Sequence, residues 1–455
     1  MAVKSTGSLS LTEINTEWSL GFDLDSYRGT QWFLSPAYNG PSRSPRGTFG
    51  PLAGSNYTSV SYSDFYGTQS LPPPMTAGVW LVGGGGGAGG TGGGGGGGGV
   101  RAANVSLNAG SNYTVTVGAG GAGGYRNHPS IGPAQESTDG GASYFGSTYV
   151  GGGGGGSSGG QANPLNNTAG HGHSWGWNSG PSGAPKFAPF NTPVAHPLGG
   201  GGGGATAGNE YRIGGLRGGY GQNGGNNIGF GPSQANQPYA MGGGGGGGPQ
   251  AQRGWNGWRQ GLGYNQNFDH YGNLGSGRGS TMYNTHIPAP TMNPASPNQL
   301  NRAGPGGRGS YSWAPLNMGW HGGGGGGGSN SGFYPHWGHA GSGGAGGGAA
   351  GASNPQTGGN WHKNGNNGGT NTGGGAGGGG SSNSSPHFGV HRGGNGGSGV
   401  VYLRYTAPQI GHGGPNSSHC VYVSGGYYVH KWTGNGYYSH NAGDNPVVCP
   451  GMPAP

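Results

Sequence analysis

The sequence predicts a mostly irregular and β fold: a bundle of polyglycine II helices flanked by β-strands and long loops, with a small mixed module at the N-terminus and a β-meander at the C-terminus. Three observations predict it. Glycine fills 126 of the 455 positions, about four times ordinary usage, and much of it stands in nearly pure runs. Charged residues make up only 6% of the chain, against roughly 25% in an ordinary domain, while aromatics reach 10% with 12 Trp and 24 Tyr. Short stretches of strand-like alternation bracket the glycine runs.

These features exclude the simpler classes. A disordered chain combines low hydrophobicity with high charge and few aromatics, and this one has little charge and many aromatics. A hydrophobic content of 29% is too small for conventional cores throughout. Flexible linkers mix glycine with serine. Here the runs 83–87, 92–99, 151–156, 199–204, 242–248 and 322–328, and the interrupted runs 343–348 and 373–380, are nearly pure and recur around segments rich in Trp, Tyr, His, Asn and Pro.

Ordering glycine costs more conformational entropy than ordering any other residue, so an ordered run needs an offset. The polyproline II conformation supplies one. It has three residues per turn, a rise of about 3.1 Å and no internal hydrogen bonds. Its N–H and C=O groups point outward in three directions, and without Cβ atoms such helices pack close enough for each N–H to reach a neighbour's carbonyl. A helix enclosed on all sides is expected to carry glycine at every position.

Residues 1–70 read as a small mixed module. SLSLTEINTEW (8–18) has a capping-box look, with Ser10 followed by Glu13, and Leu11, Ile14 and Trp18 are spaced for one helical face. SYSDFYG (61–67) reads as a helical turn closed by Gly67. Residues 71–407 form the glycine-rich zone, opened by LPPP (71–74). GVWLV (78–82) reads as a strand entering the bundle, NVSLNAGSNYTVTVG (104–118) as a hairpin and GVVYLRY (399–405) as a closing strand. Residues 408–455 carry HCVYV, YYVHKW and GYYSH separated by SGG and TGNG, a three-strand meander by its turn chemistry.

The net charge of +8 lies on singly spread Lys and Arg, with no basic run of the kind that marks a nucleic-acid tail. No apolar run approaches the roughly 18 residues of a membrane helix, and the N-terminus has no signal-peptide core, so neither nucleic acid nor membrane insertion is expected. Cys420 and Cys449 have no metal-type spacing. A disulfide between them and a pair of unpaired thiols stand as equal readings.

Enzymatic signals are poor. Glu136, Asp139, Glu210, Asp269 and Asp444 are isolated in sequence, no GxGxxG has a strand–helix context, and GxxxxGK[ST] is absent. HGH (171–173) and HWGH (336–339) suit a wet loop surface better than a metal site. No catalytic residue, metal or cofactor is expected. The stronger signal is aromatic. Trp175, Trp177, Trp255, Trp258, Trp313, Trp320, Trp337 and Trp361 lie between the glycine runs, among Asn, Ser and Gly neighbours whose composition resembles a binding paratope. RGWNGWRQGLGYNQNFDHYGN (253–273), with Trp255, Trp258, Tyr264 and Tyr271, is the first choice for a recognition loop, followed by Trp175, Trp177, Trp337 and Trp361. NMGWHG (317–322) runs into a glycine tract and reads as a structural cap. Recognition is expected in the inserts 157–198, 205–241, 249–321 and 329–372.

The stretches GVWLVGGGGGAGG (78–90), SNYTVTVGAGGAGG (111–124), GGASYFGSTYVGGGGGG (140–156) and GGNGGSGVVYLRY (393–405) resemble the glycine-rich domain of bacteriophage tail-fibre proteins. The arrangement is similar to the receptor-recognising adhesins at the fibre tips of T-even-like phages, in which polyglycine II helices form a sandwich and the loops between them recognise the host. LTEINTEW (11–18), FDLDSYRG (22–29) and VSYSDFYG (60–67) resemble a module that recurs at the start of phage fibre and structural proteins.

The resemblance implies a protein on the virion exterior. It would be attached to other virion proteins through residues 1–70, with Leu11, Ile14 and Trp18 as the packed face. Its aromatic loops would bind a host-surface receptor, a glycan being one such ligand, and a homo-oligomer is one form it could take. The alternative is a structural virion component, a head or neck fibre or a decoration protein, whose loops contact other virion proteins.

Overall fold

The computed structural model describes residues 9–19, 27, 31–34, 46–48, 65, 68–69, 72–90, 93–125, 135, 137–156, 306–328, 330–331, 340–352, 364–382, 392–406, 412–413, 418–441 and 447–452. Its elements are mostly strands, with one short helix among the described residues. Chain order gives α1 (Leu11–Trp18), β1 (Gln31–Leu34), β2 (Arg46–Thr48), β3 (Thr68–Gln69), β4 (Met75–Val82), β5 (Val100–Leu107), β6 (Asn112–Thr116), β7 (Ser143–Phe145), β8 (Thr148–Val150), β9 (Ser310–Trp313), β10 (Leu316–His321), β11 (Asn330–Ser331), β12 (Ser381–Ser382), β13 (Val400–Tyr405), β14 (His412–Gly413), β15 (His419–Ser424), β16 (Tyr427–Trp432) and β17 (Gly436–Ser439). The chain divides into two compact units, one of residues 1–79, 103–115 and 402–455, the other of 80–102 and 116–401.

In the first unit, α1 starts where its capping box predicts. Ser10 Oγ accepts from the Glu13 amide at 3.3 Å, and Glu13 Oε2 accepts from the Ser10 amide at 2.8 Å. The helix stops at Ser19, which takes the left-handed conformation and returns its amide to Asn15 O. Its apolar face turns inward: Ile14 and Trp18 pack with Tyr27, Trp32 and Phe65, and Leu11 leans on the cluster. Trp18, Tyr27 and Phe65 meet edge to face, at centroid distances of 5.3–6.5 Å, the geometry that the ring quadrupoles favour. Beside them β2, β1 and β3 form a small antiparallel sheet. Of the turn expected over 61–67, Phe65 alone lies within the described residues.

The remaining strands of this unit correct two expectations. β5 and β6 do not form a hairpin, because β5 lies in a sheet of order β15-β16-β13-β4-β5 while β6 pairs antiparallel with β17. The turn between them, with Gly110 at φ 70°, carries the chain from one sheet to the other, and Tyr113 fastens the corner by accepting from the Asn108 amide at 2.7 Å and donating to Ser106 O at 3.1 Å. Nor are the last three strands a meander. β15 and β16 form a hairpin, but β17 crosses to the other sheet, between β14 and β6. Both edges of β16 are already taken, by β15 and β13, so no position beside it remains for β17.

The second unit is built on the glycine runs, which hold no regular helix or strand and bond to one another through the backbone. Residues 83–89 show the plan. Gly83 and Gly86 donate to Gly99 and Gly96, Gly84 and Gly87 donate to Gly141 and Thr138, and Gly85 and Ala88 donate to Gly397 and Gly394, at 2.8–3.0 Å. Their carbonyls accept in the same rhythm: Gly84 and Gly87 from Gly153 and Gly156, Gly85 and Ala88 from Gly121 and Gly124, Gly86 and Gly89 from Ala376 and Gly379. Every partner recurs after three residues, the period of a polyglycine II helix. The segment gives hydrogen bonds to three antiparallel neighbours and takes them from three parallel ones. Residues 373–379 are enclosed in the same way, donating to 86–89, 323–326 and 366 and accepting from 95–98, 394–397 and 349–352.

The spacing leaves almost no room for side chains. A Cβ on any of Gly83 to Gly87 would stand closer than 3.0 Å to a neighbour's backbone. Two positions nevertheless correct the expectation of glycine throughout an enclosed helix, since Ala88 and Ala376 are both 0% exposed. Their N–H and C=O groups bond as glycine's do. The lattice therefore demands space at the Cβ, which these two positions have, and not glycine as such. The runs 199–204 and 242–248 lie outside the described residues.

Candidate functional site

The lattice is a frame, and the segments that leave it are where chemistry can sit. Its rim is finished by side chains that take the place of missing neighbours. Asp139 Oδ1 accepts from the Gly155 amide at 2.6 Å, Thr138 Oγ1 from Ala122 at 2.7 Å and Asn395 Oδ1 from Gly123 at 2.8 Å. Asn367 and Asn364, three residues apart, accept from the amides of Asn395 and Arg392, also three apart. The polar breaks in the glycine runs are thus acceptors at the places where a polyglycine neighbour is lacking.

One aromatic hairpin rises from this frame. β9 and β10 follow Gly306–Gly309 and lead into the run 322–328, and they pair antiparallel with an irregularity between Leu316 and Trp320, where Gly319 has φ 77°. Trp313 and His321 are buried and pack on Trp80, with ring centroids at 5.9 and 6.4 Å. Tyr311 and Trp320 stand opposite each other and open to solvent, 4.9 Å between centroids and 44% and 38% exposed. The stretch expected to cap the bundle therefore divides, His321 inward and Trp320 outward. A second outward pair, Tyr144 and Tyr149, stacks at 5.1 Å across the β7–β8 hairpin. Sequence reasoning missed these pairs. Strand alternation gave no signal for the first pair, since it puts Tyr311 on the same side as the buried Trp313.

The expected inserts are also shorter than the sequence suggested. Within 249–321, residues 306–309 belong to the lattice and 310–321 to the hairpin, and within 329–372 the segments 341–352 and 365–369 make lattice hydrogen bonds. Trp175, Trp177, Trp255, Trp258, Tyr264, Tyr271, Trp337 and Trp361 lie outside the described residues, as do HGH, HWGH, Glu136, Glu210, Asp269 and Asp444.

In the first unit the structure places Ile14 and Trp18 in the core of the N-terminal module. That face serves the module's own packing, and a partner would meet its other surfaces. Cys420 and Cys449 are joined by a disulfide. Between the two sheets lies a buried polar cluster that sequence reasoning did not single out. His419 Nε2 and His430 Nδ1 share a hydrogen bond at 3.1 Å, His430 Nε2 meets Tyr405 Oη at 2.8 Å, and His440 reaches Tyr438 Oη and Pro73 O at 3.2 and 3.0 Å. Burial holds the Tyr438 hydroxyl well above its usual range, and the nearby Tyr405 pushes the same way by charge and hydrogen bond. Among the described residues no group of three His, Cys, Asp or Glu could hold a metal ion, and no helix is long and apolar enough to cross a membrane.

A family model described as a glycine-rich domain matches residues 63–309, more than half of the chain. No curated protein and no solved structure matches it.

Proposed function

The chain belongs to the glycine-rich domain family, and from that premise we propose that it is an exterior fibre or adhesin protein of a phage virion. Residues 1–70 attach it to other virion proteins, and loops displayed on the polyglycine frame bind a host-surface receptor of glycan type. The supporting observation is the division of labour in the lattice. Its enclosed segments meet their neighbours mainly through N–H and C=O groups, and a surface of glycine backbone carries no side chains with which to discriminate partners. Discrimination then falls to the inserts between glycine runs, of which 249–305 carries the aromatic stretch RGWNGWRQGLGYNQNFDHYGN. Rigid aromatics with Asn, Ser and Gly around them suit that role, giving large contact area at low entropy cost. Binding by adsorption needs no catalytic group.

The test uses the full chain. Labelled protein is expected to adsorb to host cells and to compete with intact virions for adsorption, and a chain with 249–305 replaced by an unrelated segment of similar length is expected to do neither. Incorporation into particles without adsorption or competition by the native chain would overturn the receptor reading in favour of a structural virion role.

A further inference from the structure

β15 is the end strand of its sheet. Its inner side is in unbroken register with β16, from His419 opposite Trp432 to Ser424 opposite Tyr427. On its outer side the Val421 amide donates to Val447 O at 2.8 Å, and the Val421 carbonyl accepts from the Cys449 amide at 3.1 Å. Residues 447–449 therefore lie on the strand as a short parallel bridge, Val421 opposite Val448, and the Cys420–Cys449 disulfide ties them there. Backbone groups of alternate residues point to the same side of a strand, so Val423 shares the outer side with Val421, and among the described residues the tail's backbone bonds to β15 are those at Val421.

Sheet edges are ordinarily guarded by charges, Pro, bulges or an overlying segment. β15 reads HCVYVS, with no Lys, Arg, Asp, Glu or Pro, and its register has no bulge. Among the described residues, the tail and its disulfide are the guard it has. Of the tail's apolar side chains Cys449 is buried at 5% exposure, while Val447, Val448 and Met452 stand at 61%, 40% and 51%, so beyond Cys449 apolar packing does little to hold it in place.

We infer that residues 447–452 and the Cys420–Cys449 bridge form a redox-controlled cover over a self-complementary sheet edge, and that in the reduced chain two copies pair along β15. A thiol reductant opens the bridge by two successive exchanges: two reductant thiols become one reductant disulfide, and Cys420 and Cys449 each take up a proton as thiols. Cys420, half-buried on the strand, is the accessible sulfur. The tail is then held by the two Val421 hydrogen bonds. β15 of a second copy, antiparallel about a two-fold axis near Val421, pairs with both Val421 and Val423 and presents the same patch to the same patch, the isologous contact that closes a dimer. This inference does not depend on the receptor reading.

Sedimentation and amide hydrogen exchange on the full chain, with and without dithiothreitol, test it. Reduction is expected to double the sedimenting mass at high protein concentration, with the Val423 amide protected in the dimer and the Val421 amide losing protection on dilution. The C420S/C449S chain is expected to dimerise without reductant. Adding Val423→Lys to it, a charge on the exposed edge, is expected to restore the monomer while the β16 amides stay protected. A reduced or doubly substituted chain whose mass does not change with concentration overturns the inference, and so does a dimer in which Val423 exchanges freely.

Discussion

The amide of Gly86 donates to the carbonyl of Gly96 at 2.8 Å, and three residues earlier Gly83 makes the same bond to Gly99 at 2.9 Å. This recurrence is what offsets the cost of ordering glycine, about 1–2 kcal/mol per residue for the backbone. Each added turn brings its donors and acceptors to neighbours already in place, and close approach is the condition for it.

Close approach makes the first prediction. A Cβ on Gly95 would stand closer than 3.0 Å to the carbonyls of Gly86 and Gly87. These are backbone atoms fixed by their own lattice bonds, so they cannot turn aside as a side chain would. Gly95→Val is expected to cost more than the roughly 1–3 kcal/mol of ordinary overpacking. Gly426, with open space around its Cβ but φ 79°, supplies the comparison: Gly426→Ala should cost about 1–2 kcal/mol, the left-handed penalty alone. Thermal melts of the two variants decide it, and similar midpoints would mean that the lattice yields.

The rim makes the second. Removing the Asp139 carboxylate leaves the Gly155 amide, which it receives at 2.6 Å, without its acceptor at a buried position. Asp139→Ala is expected to destabilise by about 1–3 kcal/mol, and Asp139→Asn, which keeps an oxygen there, to recover most of the loss. Denaturant titration reads both. A fully destabilised Asp139→Asn would show that charge rather than an acceptor matters.

How far the sequence shows all this depends on how local each cause is. The capping box of Ser10 and Glu13 and the inward face of Ile14 and Trp18 are set by neighbours in sequence and stand as their patterns predict, and the strand expected over 78–82 is present as the longer Met75–Val82. The glycine runs were legible as helices because nothing but backbone packing suits a pure run, though Ala88 and Ala376 show that room for one methyl is decided by the three-dimensional neighbours. The pairing of β5, β6 and β17 was not legible. Turn chemistry in NAGSN and TGNG states that the chain reverses, while the sheet it enters next depends on which edges distant strands have already filled. Trp313 and Trp320 look alike in sequence, and their opposite fates follow from the irregularity at Gly319, which no composition reveals.

Alkaline pH supplies the third prediction. Burial raises the hydroxyls of Tyr438, Tyr402 and Tyr422 above their usual value. A raised folded value means that the folded state keeps protons which the unfolded chain gives up. Their contribution to stability is whole below about pH 10, the unfolded value, and is lost as pH rises toward the folded values. The first unit is expected to lose stability progressively above pH 10, read by Trp432 fluorescence in denaturant titrations at stepped pH. Tyr438→Phe should flatten that slope, at the cost of its hydrogen bond to His440, about 1 kcal/mol at neutral pH. An unchanged slope would place the sensitivity elsewhere.

The last prediction concerns how binding divides between frame and loops. Gly306 stands in the lattice directly after 249–305, its amide bonded to Ser342 O, and 249–305 holds no glycine run of the kind that builds the frame. Loops on such supports tolerate changes of sequence and length. Replacing 249–305 should therefore leave the thermal midpoint of the frame close to native while binding to host cells disappears. Within that loop, Trp255 and Trp258 sit three residues apart among Arg, Asn and Gly, and truncating both to Ala is expected to weaken binding by about 2 kcal/mol or more, roughly thirtyfold in Kd. Trp320→Ala is the discriminating control. Trp320 is exposed on a hairpin fixed from behind by Trp313 and His321 against Trp80, so its loss leaves the frame intact. If Trp320→Ala costs as much binding as the Trp255/Trp258 pair, recognition spans both loop and hairpin. If it costs nothing while the pair costs thirtyfold, the receptor meets the loop alone. Binding of the doubly truncated chain at native strength would remove those two residues from the contact altogether.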